Sequence, residues 1–127
     1  MTVSYESLTP VQIEQKLRQC VTDLTKAEQA LRAARDAETH AEITYRSAYR
    51  RAMLSPDCPK VTRGGYTTSE RDAWVDDQCS EQWEAYRLAQ TQREAAQDHI
   101  RTVRDVATAV QSIGALVRTA YAMAGTS

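Results

Sequence analysis

Two histidines and three cysteines are the residues of this sequence that are best suited to metal or nucleophilic chemistry. His40 and His99 stand far from each other and from Cys20, Cys58 and Cys79. Neither histidine has the Cys/His or Glu/His spacing of a metal site, and there is no nucleophile elbow and no glycine-rich phosphate loop before a helix. The sequence therefore predicts no catalytic residue, no metal site and no cofactor. We interpret the odd number of cysteines as free thiols of a reducing compartment.

A short basic segment between residues 60 and 66 could contact phosphates. Lys60 and Arg63 supply two cations, Gly64 and Gly65 give the backbone freedom, and Tyr66 supplies a ring for base stacking. Tyr49 and Trp83 fall near the same end of the chain's fold by the pattern described below. We therefore expect the contacts with a partner protein, or with nucleic acid, among five residues: Lys60, Arg63, Tyr66, Tyr49 and Trp83.

The overall charge gives no general attraction to nucleic acid or to a membrane surface. Sixteen Lys and Arg residues are balanced by seventeen Asp and Glu residues, so the net charge is −1. The first residues have neither a basic region nor an apolar run, and no apolar segment approaches the roughly 18 residues that cross a bilayer. We expect a cytoplasmic protein that does not bind membranes and for which nucleic acid is not the favoured partner.

The elements that must position these residues are two long helices. Thr9-Pro10 with Gln12 is a helix start, and residues 10–54 contain no further breaker. Proline and glycine cluster in a loop at 55–67, and Thr67 with Glu70 forms a second capping box. The second helix is predicted at 68–123, and the 127 residues form one domain of all-α class.

Apolar and small residues recur alternately every three and four residues along both predicted helices, as in a coiled coil. The first series is Ile13, Leu17, Cys20, Leu24, Ala27, Leu31, Ala34, Glu38, Ala41, Tyr45, Ala48 and Ala52. The second is Val75, Gln78, Gln82, Ala85, Ala89, Gln92, Ala96, His99, Val103, Val106, Val110, Ile113, Val117 and Ala120. The polar members predict either solvated positions or contacts with a second hairpin.

The connection is short, so the helices should be antiparallel and form a coiled-coil hairpin. Facing residue numbers should then sum to about 122, which places Leu24 near His99 and Ile13 near Val110. The same fold brings Arg46, Arg50 and Arg51 beside the acidic start of the second helix.

The second helix is more apolar near its C-terminal end than one hairpin can cover. We therefore expect a homodimer in which a four-helix bundle forms at the open end; only the N-terminal arm, with Val3, Tyr5 and Leu8, is available within one chain to cover this surface. The predicted oligomer interface comprises Ile100, Val103, Val106, Val110, Ile113, Leu116, Val117 and Tyr121. Docking of a different protein is the alternative.

Four segments carry a family resemblance over roughly residues 40–118. They are residues 41–49 (AEITYRSAY), 67–73 (TTSERDA), 86–89 (YRLA) and 111–118 (QSIGALVR). Together they resemble small helical-hairpin proteins of bacteriophages and prophages, and the shape is similar to Gam-type nuclease inhibitors. The chain departs from the latter because it lacks a strongly acidic exterior. The resemblance implies an accessory role in DNA metabolism or host takeover and assigns no catalytic or binding residue.

These observations favour a non-enzymatic, phage-type protein–protein interaction module. It would bind and modulate an unidentified host or phage protein of DNA metabolism. Two alternatives stay open: a single-stranded nucleic-acid-binding accessory protein that acts through the basic loop, and a structural spacer in an assembly.

Overall fold

The computed structural model describes residues 8–125, and within them the chain is all-α. Helix α1 spans Pro10–Met53, α2 spans Thr68–Gln78, and α3 spans Ser80–Ala124. Of the N-terminal arm, Val3 and Tyr5 lie outside the described residues. No helix of the described chain is both long enough and apolar enough to cross a membrane.

Both predicted capping boxes are confirmed. The Thr9 amide donates to Gln12 Oε1 at 2.8 Å, and the Gln12 amide donates to Thr9 Oγ1 at 3.3 Å. Thr67 and Glu70 make the same reciprocal pair at the start of α2. Each box satisfies backbone donors that the first helical turn leaves open.

The second helix is not continuous, in contrast to the prediction for residues 68–123. Cys79 has φ −108° and ψ 10°, outside the α-helical range, and separates α2 from α3. Its amide still donates to Val75 O at 3.1 Å, and the Trp83 amide donates to Cys79 O at 2.9 Å. The break therefore involves a single residue, whose side chain is only 1% exposed.

The chain divides into two compact units. The terminal unit contains Met1–Leu31 and Ala96–Ser127, and the central unit contains Arg32–Ala95. In the terminal unit, Ile100 is buried against Ala27 and Leu31, with Leu24, Ala96 and Val103 around them. The core of the central unit is a second cluster of small residues: Ala48, Ala52, Cys58, Val75 and Cys79, with Tyr45, Tyr49, Met53 and Trp74 packed against it.

The loop at 54–67 contributes to the core of the central unit. Cys58 is buried there, and its amide donates to Ser55 O at 3.1 Å. Farther along, the Gly65 amide donates to Thr62 O at 3.0 Å across a turn in which Gly64 has φ +83°. A positive φ at the third residue of a turn is typical of type II and favours glycine.

The contacts in the terminal unit are shifted toward the C-terminal end of α3 from the predicted facing pairs. Ile13 lies against Gly114, one turn beyond the predicted Val110, since a Cβ built on Gly114 would be 2.8 Å from Ile13 Cγ2. Leu24 packs in the cluster of Ile100 rather than against His99, which is exposed. The predicted sum of about 122 assumed that the helices face each other from the first residues beside the loop.

The burial of α1 confirms its predicted series, because every member is buried or half-buried. The series predicted for the second helix is half wrong. Gln78, Ala85, Gln92, His99, Val106 and Ala120 are exposed. The series that is buried or half-buried throughout is Val75, Cys79, Gln82, Tyr86, Ala89, Arg93, Ala96, Ile100, Val103, Ala107, Val110, Gly114 and Val117.

Candidate binding groove around Tyr45 and Trp83

Aromatic side chains of the central unit form a row beside its core. The rings of Tyr45 and Tyr49 have centroids 6.2 Å apart, and those of Tyr45 and Tyr86 are 6.1 Å apart. These separations are typical of favourable tilted aromatic pairs. Tyr45 is half-buried at the centre of the row, so its ring is fixed by neighbours on two helices.

An acidic groove lies beside this row. It has a volume of about 440 Å³ and is lined by Tyr45, Asp76, Ser80, Trp83 and Glu84. Trp83 is 49% exposed, so much of the indole is open to solvent. Within residues 8–125, neither Asp76 nor Glu84 takes part in an ion pair. The groove therefore combines open aromatic surface with carboxylates that have no cationic partner.

The field of Asp76 reaches the inner wall of this groove. Burial raises the pKa of the Tyr45 hydroxyl above its ordinary value of 10.0, and the carboxylate of Asp76 raises it further. Burial also raises the pKa of the Cys79 thiol, Asp76 adds to that effect, and Arg51 opposes it. Both groups are consequently neutral at pH 7, and the carboxylates are the charged groups that line the groove.

A cation already lies over the exposed indole. The guanidinium carbon of Arg87 is 5.9 Å from the centroid of the Trp83 ring, within the range of a cation–π contact. Arg87 Nη1 also donates to Gln90 Oε1 at 3.0 Å. This contact within the chain shows that the Trp83 ring accepts a guanidinium cation.

On the α1 side of Tyr45 the surface has the opposite charge. A basic groove of about 360 Å³ is lined by Tyr45, Arg46, Tyr49 and Arg50. Arg46 pairs with Glu42 of its own helix at 2.7 Å. Among the described residues no ion pair joins Arg46, Arg50 or Arg51 to the acidic start of the second helix, but Asp76 and Arg51 both act on the pKa of the Cys79 thiol.

A third groove contains a buried acceptor. It has a volume of about 330 Å³ and is lined by His40, Ala41, Thr44, Glu81, Gln82 and Ala85. Gln82 Oε1 is buried and has no hydrogen-bond partner among the described residues. A buried carbonyl oxygen without a donor is costly, so this side chain is a weak point of the central unit.

Glu38, the charged member of the α1 series, forms an ion pair with Arg93 that was not predicted from the sequence. Arg93 Nε donates to Glu38 Oε2 at 2.6 Å, and Arg93 Nη2 lies 3.5 Å from Oε1. The hydrogen bond to Glu38 raises the pKa of Arg93. Both side chains are partly buried, and a forked Arg–carboxylate contact fixes the register between α1 and α3 in the central unit.

The predicted partner contacts are divided among the loop and two grooves. Lys60, Arg63 and Tyr66 are exposed in the loop, where Tyr66 forms an isolated β-bridge with Val61. Trp83 lines the acidic groove and Tyr49 the basic groove. Among the described residues, no hydrogen bond, ion pair or ring contact joins the three loop residues to either aromatic.

The predicted oligomer interface contains one buried residue. Ile100 is 4% exposed because Ala27 and Leu31 of the same chain cover it, so it is a core residue and the prediction was wrong there. Val106, Leu116 and Tyr121 are 51%, 72% and 52% exposed. Val103, Val110, Ile113 and Val117 are half-buried.

The cysteines are buried as free thiols. Cys58 and Cys79 belong to the core of the central unit, and Cys20 lies in the terminal unit. The described residues contain no group of three or more His, Cys, Asp and Glu side chains that could hold a metal ion.

A sequence signal for the acidic groove exists in the spacing of its residues. Asp76, Ser80, Trp83 and Arg87 follow one another by four, three and four residues, so they share one face of a helix. The face continues through the Cys79 break because the Trp83 amide keeps its bond to Cys79 O. The apolar series does not indicate this polar and aromatic face, because none of its four residues belongs to that series.

Comparison of the chain with protein-family models, with curated proteins and with solved structures finds no match.

Proposed function

We propose that this chain is a non-enzymatic, phage-type interaction module that forms a coiled-coil hairpin, self-associates, and binds a host or phage protein of DNA metabolism. The observation that carries the proposal is a second apolar stripe on α3. The choice of DNA metabolism follows the resemblance of residues 40–118 to helical-hairpin proteins of phages.

The second stripe, called here the α3 stripe, runs beside the buried series in the terminal unit. Its spacing alternates between three and four residues, as in a coiled-coil seam. Leu116 and Met123 are its most exposed large members, at 72% and 70%, and Val106 is 51% exposed. The α3 stripe comprises Val106, Ala109, Ile113, Leu116, Ala120 and Met123.

The surroundings of the α3 stripe support assembly of helices. Between residues 106 and 124 the only charged side chain is Arg118. A surface helix that serves one core has a single apolar stripe and a charged opposite face. Two adjoining stripes without charges are typical of a helix that packs against partners on two sides, as in a four-helix bundle. A second copy of the same surface supplies a matching uncharged stripe.

Light scattering of purified protein tests the self-association. We expect a dimer at tens of micromolar and a monomer for Leu116→Glu, because each dimer would bury two carboxylates at its apolar interface. Thr119→Glu introduces the same charge on an exposed face of α3 outside the stripe and should leave the dimer intact. A monomeric wild-type protein, or equal behaviour of the two variants, would contradict the proposal.

Affinity capture from host lysate, with and without nuclease, tests the partner. We expect a protein of DNA metabolism whose recovery does not change on nuclease treatment. Loss of every specific partner on nuclease treatment would instead favour the alternative, binding of single-stranded nucleic acid by the exposed Lys60, Arg63 and Tyr66.

The nucleic-acid alternative has its own signature. Because cations contact phosphates, affinity should fall steeply with salt and should be lost in the double variant Lys60→Glu/Arg63→Glu. Binding that is absent or independent of salt would dispose of it.

A further inference from the structure

We propose that the acidic groove of the central unit binds an arginine side chain from a basic segment of a partner protein. The inference rests on the proposed function in that the partner is a protein, but it concerns a different surface from the α3 stripe. The juxtaposition that carries it is an open indole with two unpaired carboxylates around a groove of about 440 Å³.

The lining of the groove selects a cation. Asp76 and Glu84 present carboxylates, Ser80 presents a hydroxyl oxygen, and Tyr45 and Trp83 present aromatic surface. Aromatic faces attract cations through their quadrupole, and carboxylates accept charge-assisted hydrogen bonds. A phosphate or a carboxylate would be repelled by Asp76 and Glu84, so the groove does not suit nucleic acid.

Arginine fits this lining better than lysine. Its guanidinium is planar, stacks on aromatic rings and offers five donors to several acceptors at once. Lysine offers a compact and strongly hydrated charge that cannot stack in this way. The contact of Arg87 with the Trp83 ring at 5.9 Å shows the same chemistry within the chain.

The basic groove beyond Tyr45 limits where the partner can lie. Arg46 and Arg50 line that groove, so a basic segment is attracted to the side of Trp83 and repelled from the side of Tyr49. The opposite charges on either side of Tyr45 therefore orient the partner, with its arginine over Trp83 and any acidic residue toward Arg50.

The test is an NMR titration of the full chain with blocked synthetic peptides. The probe is a Gly-Arg repeat; a Gly-Lys repeat and a Gly-citrulline repeat of the same length are the comparisons. We expect saturable shifts of the Trp83 indole N–H and of the amides of Ser80 and Glu84 with the arginine peptide. The lysine peptide should bind several-fold more weakly, and the neutral citrulline peptide should cause no shift.

Variants separate the groove from general charge attraction. Trp83→Ala should weaken binding about tenfold, and Asp76→Asn should weaken it several-fold. Asp77→Asn is the matched control, since Asp77 is the exposed neighbour on α2 that does not line the groove. Circular dichroism of each variant checks the fold, and Glu84→Gln replaces any variant that unfolds.

The proposal is overturned if the groove resonances do not move, if citrulline binds as well as arginine, or if Asp77→Asn weakens binding as much as Asp76→Asn. The mass of the same samples by light scattering reports on the α3 stripe separately. A monomer that binds the arginine peptide would contradict the proposed dimer and support the proposed groove. A dimer that does not bind the peptide would support the dimer and contradict the groove.

Discussion

Replacement of Ile100 by alanine tests whether this residue belongs to the core of a single chain. Its side chain is 4% exposed and lies against Ala27 and Leu31. The substitution removes three carbon atoms, which at about 0.8 kcal/mol per buried methylene lowers the free energy of unfolding by about 2.4 kcal/mol. The cavity that remains adds to this loss, so we expect about 3 kcal/mol in total.

That loss is large enough to measure by thermal unfolding. With a melting entropy of about 2.1 cal/mol/K per residue, a chain of 127 residues should lose about 11 °C in Tm for 3 kcal/mol. Scanning calorimetry or circular dichroism at several protein concentrations would give this value. Because Ile100 contacts its own chain, the decrease in Tm should be the same at every concentration.

His99→Ala is the matched control, one residue away on the same helix. The His99 side chain is exposed, so we expect a change within about 0.5 kcal/mol, or less than 2 °C. Alanine raises helix propensity at both positions, so the propensity contribution nearly cancels when the Ile100→Ala and His99→Ala variants are compared. A large loss for His99→Ala with a small one for Ile100→Ala would refute the burial assigned to α3. A change in the oligomeric mass of the Ile100→Ala variant would indicate that this residue lies in an oligomer interface.

Three further changes test other features of the fold. Gln82→Leu should raise the free energy of unfolding by about 1 kcal/mol, because it removes a buried oxygen that has no donor. Urea unfolding measures this change, and a lower free energy of unfolding would mean that the oxygen has a hydrogen-bond donor. Gly114→Ala should not give the gain of about 1 kcal/mol in free energy of unfolding that is expected for a helix interior, since its Cβ would lie 2.8 Å from the branched side chain of Ile13. The same substitution should stabilise the protein in an Ile13→Ala background. Stabilisation by Gly114→Ala alone would contradict the close contact. The raised pKa values of Cys79 and Tyr45 mean that the folded state holds these protons more tightly than the unfolded state. Stability should therefore be full below about pH 9 and fall as pH rises through the folded pKa values. Cys79→Ala should make the decline of Tm with pH less steep, and an unchanged slope would contradict a raised pKa of Cys79.

The all-α class, the starts of α1 and α2 and the whole buried series of α1 could be predicted from the sequence. The reason is that α1 has one charge, Glu38, in an otherwise apolar or small series, and both capping boxes have reciprocal side chains. Local signals were sufficient because each depends on residues that are close in the chain.

The buried face of α3 could not be chosen from apolar spacing alone. Two series with few charged residues run side by side, and the predicted one alternated between them, taking Gln92 and His99 where the core contains Arg93 and Ile100. Arg93 in particular looks unsuitable for a core until Glu38 is placed opposite it. A pair that is compatible only after folding leaves no signal in either helix alone.

The break at Cys79 was missed for a related reason. No proline or glycine marks it, and the residue is displaced from α-helical geometry while its side chain stays in the core with Val75. Such a local departure depends on how the core of the central unit packs. The loop position of Cys58, which is buried in the same core, likewise depends on tertiary contacts.

The heptad repeat of α3 places its buried series, its apolar stripe and its charged face at different positions of one helix. The buried series occupies two of every seven positions and the α3 stripe takes two adjoining ones. The remaining three carry the charged residues between Glu84 and Arg118 except Arg93, which belongs to the buried series and pairs with Glu38. Trp83 and Glu84, which line the acidic groove, belong to the charged face, whereas Val106 and Leu116 belong to the stripe. A substitution on one face therefore leaves the other face and the core unchanged. Because of this separation, loss of self-association and loss of arginine binding should occur in different variants, and neither should lower Tm as the replacement of Ile100 does.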